Sequence, residues 1–215
     1  MPVEKVAVAG GGPEPVADPG RARCARPGHA GCVGTPEQLT DHIPLHGIAT
    51  NQDLDPGRLR RAFGIFPSGV VAVAAEVDGL LIGLAASSFT SVSLEPPLVS
   101  FSVANASKTW PVLRRAGRLG VTVLADHHGG LARQLAGPVA ARFSGVEVAL
   151  SDLGAVTLPD GLARFDTSVY REVEAGDHTI VLLRLHAVDQ DDRTSPLIFH
   201  RSAFGTVGGF EATET

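Results

Sequence analysis

Gly83-Leu-Ala-Ala-Ser-Ser-Phe-Thr-Ser-Val-Ser-Leu-Glu-Pro-Pro97 lies between two strand-like runs, Val70–Val77 and Leu98–Ala104. Small and hydroxyl side chains dominate it where a core would take bulk. Ala85, Ala86, Ser87, Ser88, Thr90, Ser91 and Ser93 leave backbone groups open and add hydroxyl donors. The stretch reads as a polar-lined loop on an apolar scaffold, suited to the close approach of a flat, phosphorylated ligand. Taken alone it reads equally well as a turn region that caps its own backbone.

Outward from this stretch the pattern is one of short strands. Asp78-Gly79 is a tight hairpin turn between Val70–Val77 and a returning strand, Leu80–Leu84. Leu98–Ala104 alternates: Val99, Phe101 and Val103 belong to a core, while Ser100 and Ser102 present small polar groups. Leu119–Leu124 repeats this, with Val121 and Val123 on one face and Gly120 and Thr122 on the other. Upstream, Asp55-Pro56 opens a helix whose Leu59, Ala62, Phe63 and Phe66 form an amphipathic stripe ending at Pro67 and Gly69. Thr109 caps a short helix carrying Trp110, Leu113 and Arg114-Arg115, and a second short helix spans Gly130–Ala136. Further strands are expected at Val146–Leu150, Ala163–Glu174, His178–Val188 and Pro196–His200, with a turn at Ala175-Gly176-Asp177. Short strands, tight turns and few helices predict a mainly β fold, an antiparallel barrel rather than a parallel βαβ sheet.

Composition narrows the class. Of 215 residues 44% are hydrophobic and 19% charged, the balance of a packed globule. A formal net charge of −5 without a basic cluster argues against nucleic acid, and no apolar run is long enough for a membrane span. Residues 1–52 are rich in Pro and Gly and read as a mobile extension; the folded body is expected over 53–210, with a tail at 211–215. Val6-Ala-Val-Ala-Gly-Gly-Gly-Pro13 lacks the helix and acidic residue of a dinucleotide fingerprint. Cys24, His29 and Cys32 lack the second ligand pair of a zinc site, so no metal is expected. Both cysteines precede the body, which therefore needs no disulfide and suits the cytoplasm.

Nucleophilic and metal motifs are absent from the body. His127-His128 are adjacent and are expected to point to different sides of a solvated helix entry, and His186 and His200 read as structural. His178 follows Gly176-Asp177 at a strand start, where a turn can aim it into a cleft. Without its own catalytic set, the body is better suited to hold a cofactor that supplies the chemistry. Ser107, Lys108 and Thr109 offer two hydroxyls, a cation and a helix N-terminus as a phosphate anchor.

Four ordered blocks then carry a resemblance. Ala86-Ser-Ser-Phe-Thr-Ser-Val-Ser-Leu-Glu-Pro-Pro-Leu-Val99 resembles the signature of the short-chain flavin reductase family. Phe63-Gly-Ile-Phe-Pro-Ser-Gly-Val-Val71, Asn105-Ala-Ser-Lys-Thr109 and Gly176-Asp-His178 with Ser195-Pro-Leu-Ile-Phe199 resemble its other conserved segments. The match covers residues 55–207. It implies a Greek-key FMN-binding split barrel in which Ala85, Ala86, Ser87 and Ser88 line the flavin. Ser102, Val103 and Asn105 would approach the ring, and Ser107, Lys108 and Thr109 the phosphate. Arg142 and Phe143 match a basic-aromatic pair near the flavin or nucleotide, and His178 would sit by the nicotinamide. Ala85 stands where threonine is frequent, and Thr122 where asparagine is common. The implied activity is hydride transfer from NADH or NADPH to FMN or FAD by a homodimer that supplies a partner monooxygenase. Two other readings are a flavin- or haem-binding barrel without activity, and a split-barrel oxidase or oxygenase acting directly on an organic substrate.

Overall fold

The computed structural model of the chain describes residues 54–191 and 193–207. The features noted upstream, including Val6–Pro13, Cys24, His29 and Cys32, and the terminal tail lie outside the described residues. In chain order the elements are α1 (Pro56–Phe63), β1 (Ser68–Gly69), β2 (Val71–Val77), β3 (Leu80–Ala86), β4 (Thr90–Leu94) and β5 (Pro97–Ala104). They continue with α2 (Trp110–Leu113), β6 (Leu119–Val123), α3 (Gly129–Leu135), β7 (Ala149–Leu150) and β8 (Val156–Thr157). The long pair β9 (Ala163–Ala175) and β10 (His178–Gln190) and the short pair β11 (Leu197–His200) and β12 (Ala203–Thr206) complete the fold. Among the described residues, no helix is long and apolar enough to cross a membrane.

Seven strands form one antiparallel sheet in the order β3-β2-β6-β9-β10-β5-β4. Its two edges, β3 and β4, are consecutive in the chain and separated by Ser87, Ser88 and Phe89 alone. Laid flat, six strand spacings would put those edges roughly 29 Å apart. The link from Ala86 to Thr90 can reach at most about 14 Å. The sheet must therefore roll up, and its edges meet at a seam without a backbone ladder. The expected antiparallel split barrel is the fold found. The stretch expected as a loop is instead mostly strand: its first residues finish β3, and Thr90–Leu94 forms β4.

Each link residue has a separate task. Ser88 Oγ accepts the Ser102 N–H at 2.8 Å and donates to the Ser102 carbonyl at 3.2 Å, which ties the link to β5. Phe89 turns inward and stacks on Phe165 at 6.0 Å. Ser87 stays exposed.

The barrel interior is filled by Val71, Val73, Val99, Phe101, Val103, Val121, Val181 and Leu183, as the alternation of β5 and β6 foretold. Trp110 of α2 meets Phe101 edge-on at 5.5 Å, plugging one end. A second cluster, Val70, Ala72, Leu124, Ala132, Leu135, Leu158 and Leu197, lies outside the barrel beneath α3 and β11. β2 is thus buried on both faces, which explains its unbroken apolar run. Gly120 and Thr122 do not offer a polar ligand face. A Cβ at Gly120 would lie 2.0 Å from the Val156 carbonyl, and Thr122 is fully buried, accepting the Leu158 N–H through Oγ1 at 3.1 Å. The segment 156–158 covers that face.

Three further expectations change. The α1 stripe is not buried: Phe63 is 70% and Phe66 77% exposed. Only Ala149–Leu150 of the expected Val146–Leu150 strand forms. β12 had no signal because its hairpin turn, Arg201-Ser202, lacks glycine, although both residues have positive φ (49° and 63°). The Asp78-Gly79 turn, with φ of 54° and 76°, carries the usual Asp-Gly signature.

Ser88→Ala removes both hydrogen bonds that tie the link to β5 and should lower unfolding free energy by about 1–2 kcal/mol. Denaturant unfolding of the variant beside Ser87→Ala measures this; equal stability of the two would show that the link does not depend on Ser88.

Candidate active site

A cavity of about 400 Å³ opens along the seam. That is within the range of small-molecule sites. Its walls come from four segments. The end of β3 and the link supply Leu84, Ala85, Ala86, Ser87 and Ser88, and β5 supplies Ser102, Val103 and Ala104. Ser107 and Thr109 precede α2, Leu135 and Ala136 end α3, and Arg142 and His178 complete the rim. Small side chains leave β3 and β5 backbone close to the cavity, as their sequence implied. The Ser87 and Ser102 hydroxyls have no hydrogen-bond partner among the described residues. They remain available to a ligand.

Arg142 is the cation of this cavity. Its Nη1 donates to the Gly83 carbonyl at 2.7 Å and to Thr109 Oγ1 at 2.9 Å, and its Nε to the Gly137 carbonyl at 2.9 Å. It therefore ties β3, the start of α2 and the turn after α3 together around the cavity. Burial pulls its pKa below the ordinary arginine value, and it remains charged. Phe143 lies behind the wall: a Cβ on Gly83 would meet its ring at 2.7 Å. Lys108 is exposed and does not line the cavity.

The expected phosphate anchor is built differently from its sequence reading. Ser107, not Thr109, caps the segment: its Oγ accepts the N–H groups of Thr109 and Trp110 at 3.3 and 3.2 Å. Those N–H groups are already satisfied, and α2 has four residues, too few for a helix-dipole argument. Glu172 of β9 holds α2 in place by accepting from Trp110 Nε1 at 2.6 Å and from Arg114. Nothing in local sequence links residues 62 positions apart.

His178 reaches the rim from the two-residue Gly176-Asp177 turn. Its Nδ1 lies 2.8 Å from Asp177 Oδ1. The ionised carboxylate can only accept, so Nδ1 carries the hydrogen and Nε2 is free to face a ligand. The His178 hydrogen bond, with its charge, holds the Asp177 carboxyl below its usual value. Asn105 is behind this turn rather than in the cavity wall. Its Nδ2 donates to the Gly176 carbonyl at 3.1 Å, its Oδ1 accepts from Thr179 Oγ1 at 2.8 Å, and its N–H donates to the Asp177 carbonyl at 2.9 Å. Asn105 sets the position of His178.

His127 and His128 do not diverge. In the single 3-10 turn Asp126–His128 their rings sit 4.1 Å apart, and each contacts one Asp160 oxygen at 3.1 Å. These three residues have the types and spacing of a cation site. However, His128 Nδ1 accepts the Ala125 N–H at 3.0 Å, so its hydrogen is on Nε2, pointing at Asp160. That tautomer keeps the Nε2 lone pair from a metal. The cluster is a clasp joining the 126–128 turn to the 158–161 turn.

The rolled sheet with a cavity along its seam defines a split-barrel class of protein, and comparison with known proteins gives its family. The Flavin reductase like domain family matches residues 63–208, and the chain belongs to that family. A flavin reductase of Pseudomonas putida is 39% identical over 160 residues, covering 74% of this chain and 92% of its own. The reductase subunit HsaB of a flavin-dependent monooxygenase from Rhodococcus jostii is 31% identical, covering 79% of this chain and 85% of its own. Among solved structures, the NADH:FAD oxidoreductase SgcE6 of Streptomyces globisporus, in complex with NAD and FAD fragments, superposes with a TM-score of 0.68 at 31% identity. It covers 72% of this chain and 93% of its own.

The clasp gives a pH prediction. Hydrogen bonding to Asp160 raises the His127 pKa, whereas burial lowers that of His128. Burial opposes Asp160 ionisation, but its histidine hydrogen bonds outweigh it and the net pKa is lowered. The His127 contribution is present below its unfolded value of about 6.5 and is lost as pH rises through the raised value. The Asp160 contribution is present above about 3.9 and is lost as pH falls through the lowered value. His128 acts oppositely to His127, losing stability as pH falls through its lowered value. Asp160→Asn should therefore destabilise most between roughly pH 5 and 6.5 and less at either side. Thermal melts across pH measure this; a constant difference from pH 4 to 9 would disprove the charge coupling.

Proposed function

We propose that this protein is a flavin reductase that passes reducing equivalents from NADH or NADPH to FMN or FAD. The observation that carries the reading is the seam cavity: small side chains, two hydroxyls without a partner among the described residues, and Arg142, on the fold of a flavin reductase family. When bound there, flavin supplies the acceptor chemistry for a nicotinamide hydride.

The residues present fit such a group. Ala85, Ala86 and Val103 offer a close apolar wall, and Ser87 and Ser102 offer hydroxyls at its edge. Arg142 would hold the phosphate, aided by the Ser107–Thr109 segment it braces. His178, oriented by Asp177 and Asn105, would face the nicotinamide side with Nε2. The chain's task is to bind and orient two ligands face to face and to limit water between them. Little acid–base work is required, in keeping with a rim whose one histidine is His178.

Two further parts belong to this reading. The first is a homodimer, supported by the open apolar surface of Phe63, Ile65 and Phe66. An eight-residue helix with no fully buried residue is marginal alone. The second is a role as the cytoplasmic reductase of a two-component monooxygenase, supported by relatives such as HsaB and by a cysteine-free body.

Steady NADH or NADPH oxidation that requires added FMN or FAD is the expected result with purified protein. No oxidation with either flavin would favour a binding-only barrel, and consumption of an organic substrate by this protein alone a direct oxygenase. Arg142→Ala should weaken FMN binding about ten-fold or more, and Ser87→Ala by a few-fold, read by fluorescence titration. Light scattering should give twice the chain mass, and Ile65→Asp should shift it towards the monomer. A monodisperse monomer would remove the dimer from the reading.

A further inference from the structure

The segment 138–146, which follows α3, carries Arg142 and Phe143. Its backbone N–H groups bond only within the segment: Ala141 to Pro138, Arg142 to Val139, Ser144 to Ala141 and Val146 to Phe143. Among the described residues it shares no backbone hydrogen bond with the barrel. Phe143 and Val146 pack on the cluster outside the barrel. Beyond that packing, two side chains bond the segment to its surroundings. One is Arg142 itself. The other is Gln134, half-buried in the last turn of α3. Its Nε2 lies 3.1 Å from the Ala141 carbonyl oxygen, 3.2 Å from that of Arg142 and 3.0 Å from that of Ser144. Carbonyl oxygens only accept, so the amide presents its NH2 group here, and three acceptors share its hydrogens. Arg142 is thereby held at both ends. A guanidinium has five N–H donors. Three of those on Arg142 are spent on the Gly137, Gly83 and Thr109 oxygens, and only the pair on Nη2 has no partner among the described residues.

We infer that Gln134 is a positioning residue for the phosphate of a bound flavin: by fixing the backbone on either side of Arg142, it aims the Nη2 hydrogens into the cavity. This rests on the flavin reductase reading, with Arg142 as the phosphate cation. Arg142 cannot turn another edge to an anion without giving up one of its three braces. The direction of Nη2 therefore depends on where its backbone lies, and charge-assisted hydrogen bonds are sensitive to direction. Without the Gln134 amide, the turn at 141–144 keeps only its internal bonds and its packing, and the root of the Arg142 side chain is free to shift. Gln134 does not itself line the cavity, so its effect on a ligand passes through Arg142.

The alternative for Gln134 is structural: it closes the end of α3 onto the next turn, and its loss costs stability alone. FMN and riboflavin separate the two, because they share a ring system and differ by the phosphate. Wild type, Gln134→Met, Arg142→Ala and the double variant would be compared for affinity to each flavin by fluorescence titration, and for thermal stability. Methionine keeps the length and the helix propensity and removes the donors. Gln134→Met should weaken FMN binding about five-fold while riboflavin stays within about two-fold of wild type. In the Arg142→Ala background the same substitution should change FMN affinity by less than about two-fold, because the group it positions is gone. Gln134→Leu repeats the measurement should Gln134→Met fail to fold. Equal loss for both flavins, no loss for FMN, or a full additional loss in the double variant would overturn the inference, whatever the melting temperature does. Wild-type FMN affinity in Arg142→Ala would remove the phosphate role of Arg142 and the inference with it. Should the FMN-selective loss appear in a protein that oxidises neither NADH nor NADPH, the reductase reading fails and the role of Gln134 stands.

Discussion

Three residues have to join the opposite edges of a seven-stranded sheet, and most of the molecule follows from that. The link is about half as long as the flat sheet is wide, so the sheet rolls until its edges meet. Rolling buries Val73, Phe101, Val121 and Val181 against one another and gives the barrel its core. It also leaves two edges facing each other without backbone pairing. The Ser88 hydroxyl ties the link to β5, continuing the β4–β5 register, and Phe89 enters the interior beside it. The groove left along the seam is where the ligand-lining residues collect.

The site is then shaped by braces outside the barrel. Arg142 joins Gly83, Thr109 and Gly137, which fixes the distance between β3, α2 and the end of α3. Glu172 fixes α2 from the other side through Trp110 and Arg114. Asn105 fixes the Gly176-Asp177 turn and with it His178. In each case a polar side chain contacts two or more segments that share no local sequence. A cavity walled by alanine and serine has few bulky contacts of its own to hold it open, so the braces carry that role.

Much of the fold was legible because the physics behind it is local. Alternation marks β5 and β6, an unbroken apolar run marks β2, and Asp78-Gly79 marks its turn. The region of the site was legible too, because small residues in a strand context are rare without a reason. What the sequence hides is the division of labour. Ser87 and Ser88 are adjacent, identical in type and both line the cavity, yet only the Ser88 hydroxyl is spent on a bond to β5. Thr122 has the spacing of a site residue but lies beneath 156–158, a covering that depends on a distant crossing. His127 and His128 converge because a 3-10 turn does not follow helical or strand periodicity. β12 was missed for a similar reason: its Arg-Ser turn has no glycine signal.

A seam closed by side chains has a kinetic meaning. A ligand in a fully laddered barrel leaves only when strands part, and its residence time is then that of a local unfolding event. Here the groove lies between edges that share no backbone ladder, and its mouth is rimmed by exposed residues, Ser87 and His178 among them. A flavin held there dissociates at a rate governed by its own contacts, independently of barrel stability. A groove of this kind lets its ligand exchange without loosening the core.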